Sequence, residues 1–376
     1  MNKIIKRDRS LDVLKALCLI FMVLGHCGFP GTQFIYLFHM PLFFMASGYL
    51  FNWNNVITTE GLKKFFFRKI KTLWMPYVFW NTAFLAMQNI FLKINLYTCN
   101  PAVLNYSGSS TQDYITTKQF FTKFAKILLF KSGTLFTSAF WFIRVLFIVE
   151  IIFAVLTYGL HKIGLKRNFS DIIIGIISIL SLLFGYYLGF KHIKLMDFSN
   201  CFVGFALFWL GTVMKKQNMT SITGKTSFVV LAFIMLLFLN TRGVILLNQN
   251  EFTNPAFLIC SALSGWILIL GISKRLSQID RIANSAYRIN LAAIDVMALH
   301  FIGFKAVAVV QVISRGLPIF HLARFPILDG SNGWWIIYFI CGFFPPLLFN
   351  KSKRYVFEKV KEWVPRRQNL IRKTWF

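Results

Sequence analysis

The sequence predicts an all-α protein, a polytopic membrane bundle of about ten transmembrane helices with both termini in the cytoplasm. Three observations carry that expectation. The 376 residues are 56% hydrophobic and only 14% charged, with a mean hydropathy of +0.60, whereas a soluble chain carries about 25% charged residues. The apolar residues gather into runs of about 17–25, the length that crosses hydrocarbon. The 41 Lys and Arg against 13 Asp and Glu give a formal net charge of +28. These bases fall mostly in the short segments between apolar runs, so a lipid bilayer, not a nucleic acid, is the partner that the charge implies.

In chain order the expected spans are 11–28, 34–52, 73–95, 138–160, 170–190, 196–214, 226–240, 255–273, 286–313 and 334–350. The run at 226–240 is short, and 286–313 is long enough to tilt or break. With the N-terminus inside, one side collects Lys3, Lys6, Arg7, Arg9, Lys63, Lys64, Arg68, Lys69 and Lys71, then later cations including Lys162, Arg167, Lys215 and Lys274. The other side receives fewer, among them Lys191, Lys194, Arg242, Arg315 and Arg324. Residues 1–350 are read as the transmembrane domain and 351–376 as a basic cytoplasmic tail. Its cations alternate with Tyr355, Phe357, Trp363 and Trp375, which suits the inner leaflet. The basic start followed by an apolar run has the outline of a leader. Asp12 and Lys15 interrupt that run, so a retained first span is expected.

The remaining segments are less specific. The loop 96–117 is polar and suits either a solvated connector or a sugar contact, and its Asn105-Tyr106-Ser107 fits a glycosylation acceptor. Residues 118–136 are basic and aromatic, as in a helix lying along the interface. The six cysteines (18, 27, 99, 201, 260, 341) lack metal spacing and read as small core residues, so neither a metal nor a disulfide framework is expected. No phosphate-binding glycine loop, nucleophile elbow or internal repeat is evident.

Ionisable residues inside an apolar span face a cavity or a polar partner, and by default they mark function. The stretch from Leu11 to Leu50 holds four of them: Asp12, Lys15, His26 and His39. Lys15 and His26 are eleven residues apart, which on a helix is roughly three turns plus 20°, so both share one face about 16 Å apart. Asp12 lies one turn before Lys15, close enough to pair with it. An imidazole titrating near neutrality is the usual general base for deprotonating an alcohol. A second constellation is Lys64, Arg68 and Lys71, a basic cluster that suits either a phosphorylated ligand or lipid headgroups. A third is Trp141 with Arg144 and Glu150, where the two charges sit too far round a helix to pair and each should reach another helix or the cavity. The fourth is the span holding Arg288, Asp295, His300 and Lys305, with Arg288 and Asp295 expected two turns apart on one face.

These residues carry a resemblance. Arg9-Ser-Leu-Asp-Val-Leu-Lys15, with His26 after ten intervening residues, resembles the first-span signature of the acyltransferase-3 family of membrane O-acyltransferases. Phe38-His-Met-Pro-Leu-Phe-Phe-Met-Ala-Ser-Gly-Tyr49 is similar to its second-span motif, and Arg68-Lys-Ile-Lys71 to its cytoplasmic Arg-x-x-Arg motif. Trp141-Phe142 and Met297-Ala-Leu-His-Phe301 also resemble family segments. The resemblance implies transfer of an acyl group, usually acetyl, from cytosolic acyl-coenzyme A to a hydroxyl of a cell-envelope glycan or glycolipid. It places the protein in a bacterial inner membrane. It implies His26 as the catalytic histidine with Lys15 and Asp12 beside it in the signature, and Arg68 and Lys71 at the coenzyme A phosphates, where the charge cluster adds Lys64. His39, Trp141, Arg144, Glu150 and His300 are then candidates for substrate contact. Lys71 departs from the motif, replacing a bidentate fork with a point charge. The competing class is a proton-coupled transporter or glycan flippase using the same buried groups as a relay, with a glycan polymerase third.

Overall fold

The computed structural model describes residues 8–101, 112–193, 195, 198–217 and 223–373, with side chains to 359. The Asn105-Tyr106-Ser107 triplet, the cations Lys3, Lys6, Arg7 and Lys194, and the side chains of Trp363 and Trp375 lie outside these residues.

The first helix, α1, runs Arg9–His26. Asp8 starts it by accepting from the backbone N–H of Ser10 at 2.9 Å and of Leu11 at 3.3 Å, filling two of the donors that a helix N-terminus leaves open. It stops one residue before Cys27 and Gly28, the latter at φ +81°. The next expected span breaks into α2 (Thr32–Tyr36) and α3 (His39–Leu50). Pro41 explains the break, because in an unbroken helix its ring would strike the carbonyl of Leu37. The third breaks too. Helix α4 (Thr59–Lys69) passes through a π turn (Ile70–Trp74) into α5 (Met75–Ala86), followed by the short α6 (Gln88–Lys93). Here Pro76 would meet the carbonyl of Thr72, and the wider turn ahead of it relieves that clash.

Helix α7 (Thr117–Leu128) is started by a capping box between Thr116 and Gln119. It leads to α8 (Trp141–Lys162), α9 (Arg167–Phe190), α10 (Ser199–Lys216) and α11 (Thr226–Asn240). A two-stranded antiparallel ribbon, β1 (Ile245–Leu246) with β2 (Glu251–Phe252), precedes α12 (Pro255–Leu276). The expected span 286–313 is two helices, α13 (Asp280–Leu291) and α14 (Ala293–Ser314), broken at Ala292. Arg288 and Asp295 therefore do not share a helix face. Polar side chains occupy the break: Asn350 donates to the Leu291 carbonyl at 3.4 Å and to Asp295 at 2.5 Å, and Asn290 to the carbonyl of Asp12 at 2.8 Å. The last helix, α15 (Trp334–Lys373), runs without interruption past residue 350, and its Lys353 pairs with Asp295.

Among the described residues, four helical stretches are long and apolar enough to cross a membrane: 135–162, 167–190, 255–276 and 293–314. Helix α9 shows how the bundle meets its surroundings. Its inner stripe is Ser170, Ile174, Gly175, Ser178, Leu182 and Gly185, while Ile172, Ile176, Ile179 and Leu183 are exposed. Small residues inside and large apolar residues outside is the arrangement that hydrocarbon solvent favours. The closest helix contact is α3 on α10, where a Cβ on Gly48 would lie 1.9 Å from the Phe208 carbonyl and one on Gly211 2.0 Å from that of Met45. Helix α1 occupies the middle, packed against α2, α3, α12, α13, α14 and α15.

Candidate active site

Helix α1 carries two groups of polar residues at opposite ends. At its start, Asp12 is buried and meets the Lys15 ammonium at 3.5 Å, while Arg9 reaches Asp280 of α13 at 2.6 Å. About 16 Å further along the axis, His26 is the last residue of the helix. The neighbouring turn is fixed by the Tyr36 hydroxyl, which donates to the Gly25 carbonyl at 2.8 Å.

Two other histidines close on His26. His300 of α14 is fully buried, with its ring centroid 5.5 Å from that of His26. His39 of α3 is also buried, its ring tilted against that of Tyr36 with centroids 5.1 Å apart. In each the Nδ1 atom meets the carbonyl four residues earlier, Val296 at 3.1 Å for His300 and Ile35 at 3.0 Å for His39. A carbonyl only accepts, so the proton sits on Nδ1 and the Nε2 lone pair is left as an acceptor. The Nε2 atom of His300 is buried with no hydrogen-bond partner among the described residues. Two fixed acceptors are thus arranged about one imidazole.

His26, Gly25 and Pro326 are shared by two cavities. One, about 430 Å³, is lined by Tyr36, His39, Ser138, Trp141, Asn248 and Gln249 and has no Lys, Arg, Asp or Glu. The other, about 570 Å³, is lined by Thr32, Arg315, His321, Arg324 and Asp329. The wall between α14 and α15 is held from within. The Lys305 ammonium, 3% exposed, donates to the Leu322 carbonyl at 2.7 Å and to that of Arg324, and lies 5.9 Å from the centre of the Phe325 ring. The same wall touches the end of α1 backbone to backbone. A Cβ on Gly28 would lie 2.8 Å from Ile327 Cδ1 and 3.1 Å from Gly330 Cα, and one on Gly330 would lie 3.0 Å from the Cys27 carbonyl.

The other expected residues divide. Trp141 and His39 join His26 in the first cavity. Arg144 and Glu150, further along the same helix, do not line it. Arg144 donates to the Phe130 carbonyl at 3.3 Å and lies over the Phe198 ring, and Glu150 pairs with Lys69 at 2.6 Å. On α4, Lys64 and Arg68 line a separate cavity of about 450 Å³ with Asn54, Asn55, Thr58 and Glu60. Lys71 falls in the π turn, is exposed, and does not line that cavity. Sequence reasoning missed Arg324, His321 and Asp329 as neighbours of His26. All three sit between the last two expected spans, where Arg324 read only as an outer-side cation and His321 as an interfacial histidine, and the one available signal was the cluster of charge there.

No group of three or more His, Cys, Asp or Glu is arranged to hold a metal ion among the described residues. A family model described as an acyltransferase domain matches residues 8–349. No curated protein and no solved structure matches the chain.

Proposed function

The chain belongs to the acyltransferase-3 family, and from that premise we propose that it transfers an acetyl or other short acyl group from cytosolic acyl-coenzyme A to a hydroxyl of a cell-envelope glycan or glycolipid. The observation that supports this reading is the position of His26, exposed to two cavities at once and flanked by His39 and His300. A transferase needs a group that both substrates can reach, and the helix end at His26 is such a place.

In one route the His26 imidazole takes the proton of the acceptor hydroxyl as its oxygen attacks the thioester carbonyl. The C–S bond then breaks, and the departing thiolate recovers the proton from the imidazolium. In the other, the imidazole nitrogen attacks first, thiolate leaves, and the acyl-imidazolium passes its group to the hydroxyl, whose proton goes to the thiolate as the neutral imidazole is restored. Both use the same side chain. The Nε2 atom of His39 would supply an acceptor for an incoming hydroxyl, and that of His300, which lines neither cavity, would act on the His26 ring alone. Lys64 and Arg68 would hold phosphates of the donor, with Lys71 contributing less. Trp141 would line the reacting cavity. Arg144, Glu150, Lys15 and Asp12 would shape the bundle that holds it.

The arrangement in the membrane follows the same reading. Helices α1, α2–α3, α4–α6, α8, α9, α10, α11, α12, α13–α14 and α15 make about ten passes in a bacterial inner membrane, with both chain ends cytoplasmic. The test is transfer of label from [acetyl-¹⁴C]acetyl-coenzyme A in membrane vesicles containing native glycans. Label entering a glycan or lipid fraction with wild type and not with His26→Ala is expected. Equal transfer by both proteins would refute the role of His26. No transfer by folded wild type would refute the acetyl-coenzyme A donor.

A further inference from the structure

The two cavities that share His26 differ in charge, and the difference assigns them. The smaller is lined by neutral groups throughout, the hydroxyls of Tyr36 and Ser138 and the amides of Asn248 and Gln249 among them. A thioester and its acyl group are neutral, and such walls suit them. The larger has two guanidinium groups and one carboxylate on its walls. Arg315 is already committed, donating to Asp329 at 2.8 Å. Arg324 is not, since its guanidinium has no hydrogen bond or ion pair among the described residues. His321 lies beside it in the same cavity, and its Nδ1 atom is buried without a partner among the described residues.

An uncommitted guanidinium in a partly enclosed cavity is a strong site for an oxyanion, because it presents several donors in a planar fork. This one is also held in place. The Lys305 ammonium fixes the Arg324 carbonyl from inside the protein, and Pro326 follows two residues later on the shared wall. A backbone pinned before binding loses less entropy on binding.

We infer that the cavity formed by Arg324 and His321 beside His26 binds an anionic group of the acceptor, a carboxylate or a phosphate ester, and so selects an acidic glycan. The inference rests on the acyltransferase reading for the word acceptor, while the anion site itself stands on the cavity. With the charged group at Arg324, a hydroxyl elsewhere on the same sugar unit is directed toward the imidazole. Specificity for the acceptor then comes from a loop between two helices, and the chemistry from the end of a third.

The test is equilibrium binding of three small probes to the purified full-length protein: glucuronate, glucose 1-phosphate and the neutral methyl glucoside. At least one anion is expected to bind about tenfold or more tightly than methyl glucoside, the gain of one charge-assisted contact. The ranking of glucuronate against glucose 1-phosphate tells carboxylate from phosphate. Arg324→Gln should bring the anion to the level of the neutral probe, and Arg324→Lys should keep part of the preference. Unchanged thermal unfolding of both variants shows that the fold is intact. Equal binding of all three probes to wild type, or an undiminished preference in Arg324→Gln, would overturn the inference. His26→Ala separates the two readings, because it should end acetyl transfer and keep anion binding. Anion binding without transfer by wild type would remove the acyltransferase reading and leave the site. Transfer to glycan with no anion preference would remove the site and leave the enzyme.

Discussion

Around His26 several polar side chains have backbone hydrogen bonds assigned before any substrate arrives, while His300 Nε2, His321 Nδ1 and the Arg324 guanidinium have no partner among the described residues. His39 and His300 each hold a carbonyl with Nδ1, Tyr36 holds Gly25, and Lys305 holds two carbonyls of the opposite wall. Along α4, Lys69 is tied to Glu150, and the cations on either side of it stand open. Lys64 and Arg68 border a cavity at the bundle surface, and Lys71 is exposed in the π turn. The first region is built in advance by the fold, and the second takes its order from what binds to it. A buried centre should therefore lose function steeply when one group is changed, and an open basic face should lose it gradually and in proportion to salt.

The largest effect expected is that of His26→Ala, which should lower transfer by about 10²–10⁴-fold, the usual range for a lost acid–base group, with folded protein recovered in normal yield. A fall of less than about tenfold in labelled product would break the contrast. Next comes Lys305→Met. It leaves the buried carbonyls of Leu322 and Arg324 without their donor, so thermal unfolding in detergent should report a loss of about 2–3 kcal/mol. If the midpoint does not move, the wall is held by something other than this ammonium. Arg68→Gln should raise the KM for acyl-coenzyme A about tenfold, by one charge-assisted contact, with kcat little changed. The difference from wild type should shrink as salt is added. Lys71→Gln should change the same KM by less than about threefold, because a single exposed point charge contributes less than about 1 kcal/mol. Equal effects at the two positions would mean that the π turn does not separate them.

The smallest effect concerns Asp329. The backbone N–H of Ser331, helped by its hydroxyl and by Arg315, holds this carboxyl below its usual range. A group so depressed stabilises the fold above the ordinary carboxylate pKa and loses that contribution as pH falls through the folded value. The stability difference between wild type and Asp329→Asn should therefore be present at about pH 6 and fade below about pH 4. A difference independent of pH would show that the carboxylate charge plays no part.

Much of the centre was legible because hydrocarbon makes charge expensive. His26, Lys15 and Asp12 stood out within an apolar run, and α1 follows the expected span closely. The pairing of Asp12 with Lys15 needed only helix geometry. Partners distant in sequence were not legible. Glu150 announced itself as a charge needing company, and nothing local named Lys69, 81 residues away. The break at Ala292 was hidden because the apolar pattern runs across it, and the side chain that occupies the break, Asn350, comes 58 residues later. Arg324 looked like one more loop cation until the fold carried its loop against the end of α1.

The contact between Gly28 and Gly330 has a consequence for heredity. Neither residue has any chemistry, yet a methyl added at Gly28 would crowd Ile327 and Gly330, and one at Gly330 would need the Cys27 carbonyl to give by a few tenths of an ångström. Gly28 also needs a backbone conformation that other residues rarely adopt. In a screen that scored only acylated product, Gly28 would emerge as intolerant of change as His26. Scoring surviving folded protein alongside product would separate them, because the histidine variant would keep its shape and the Gly28 variant would be strained.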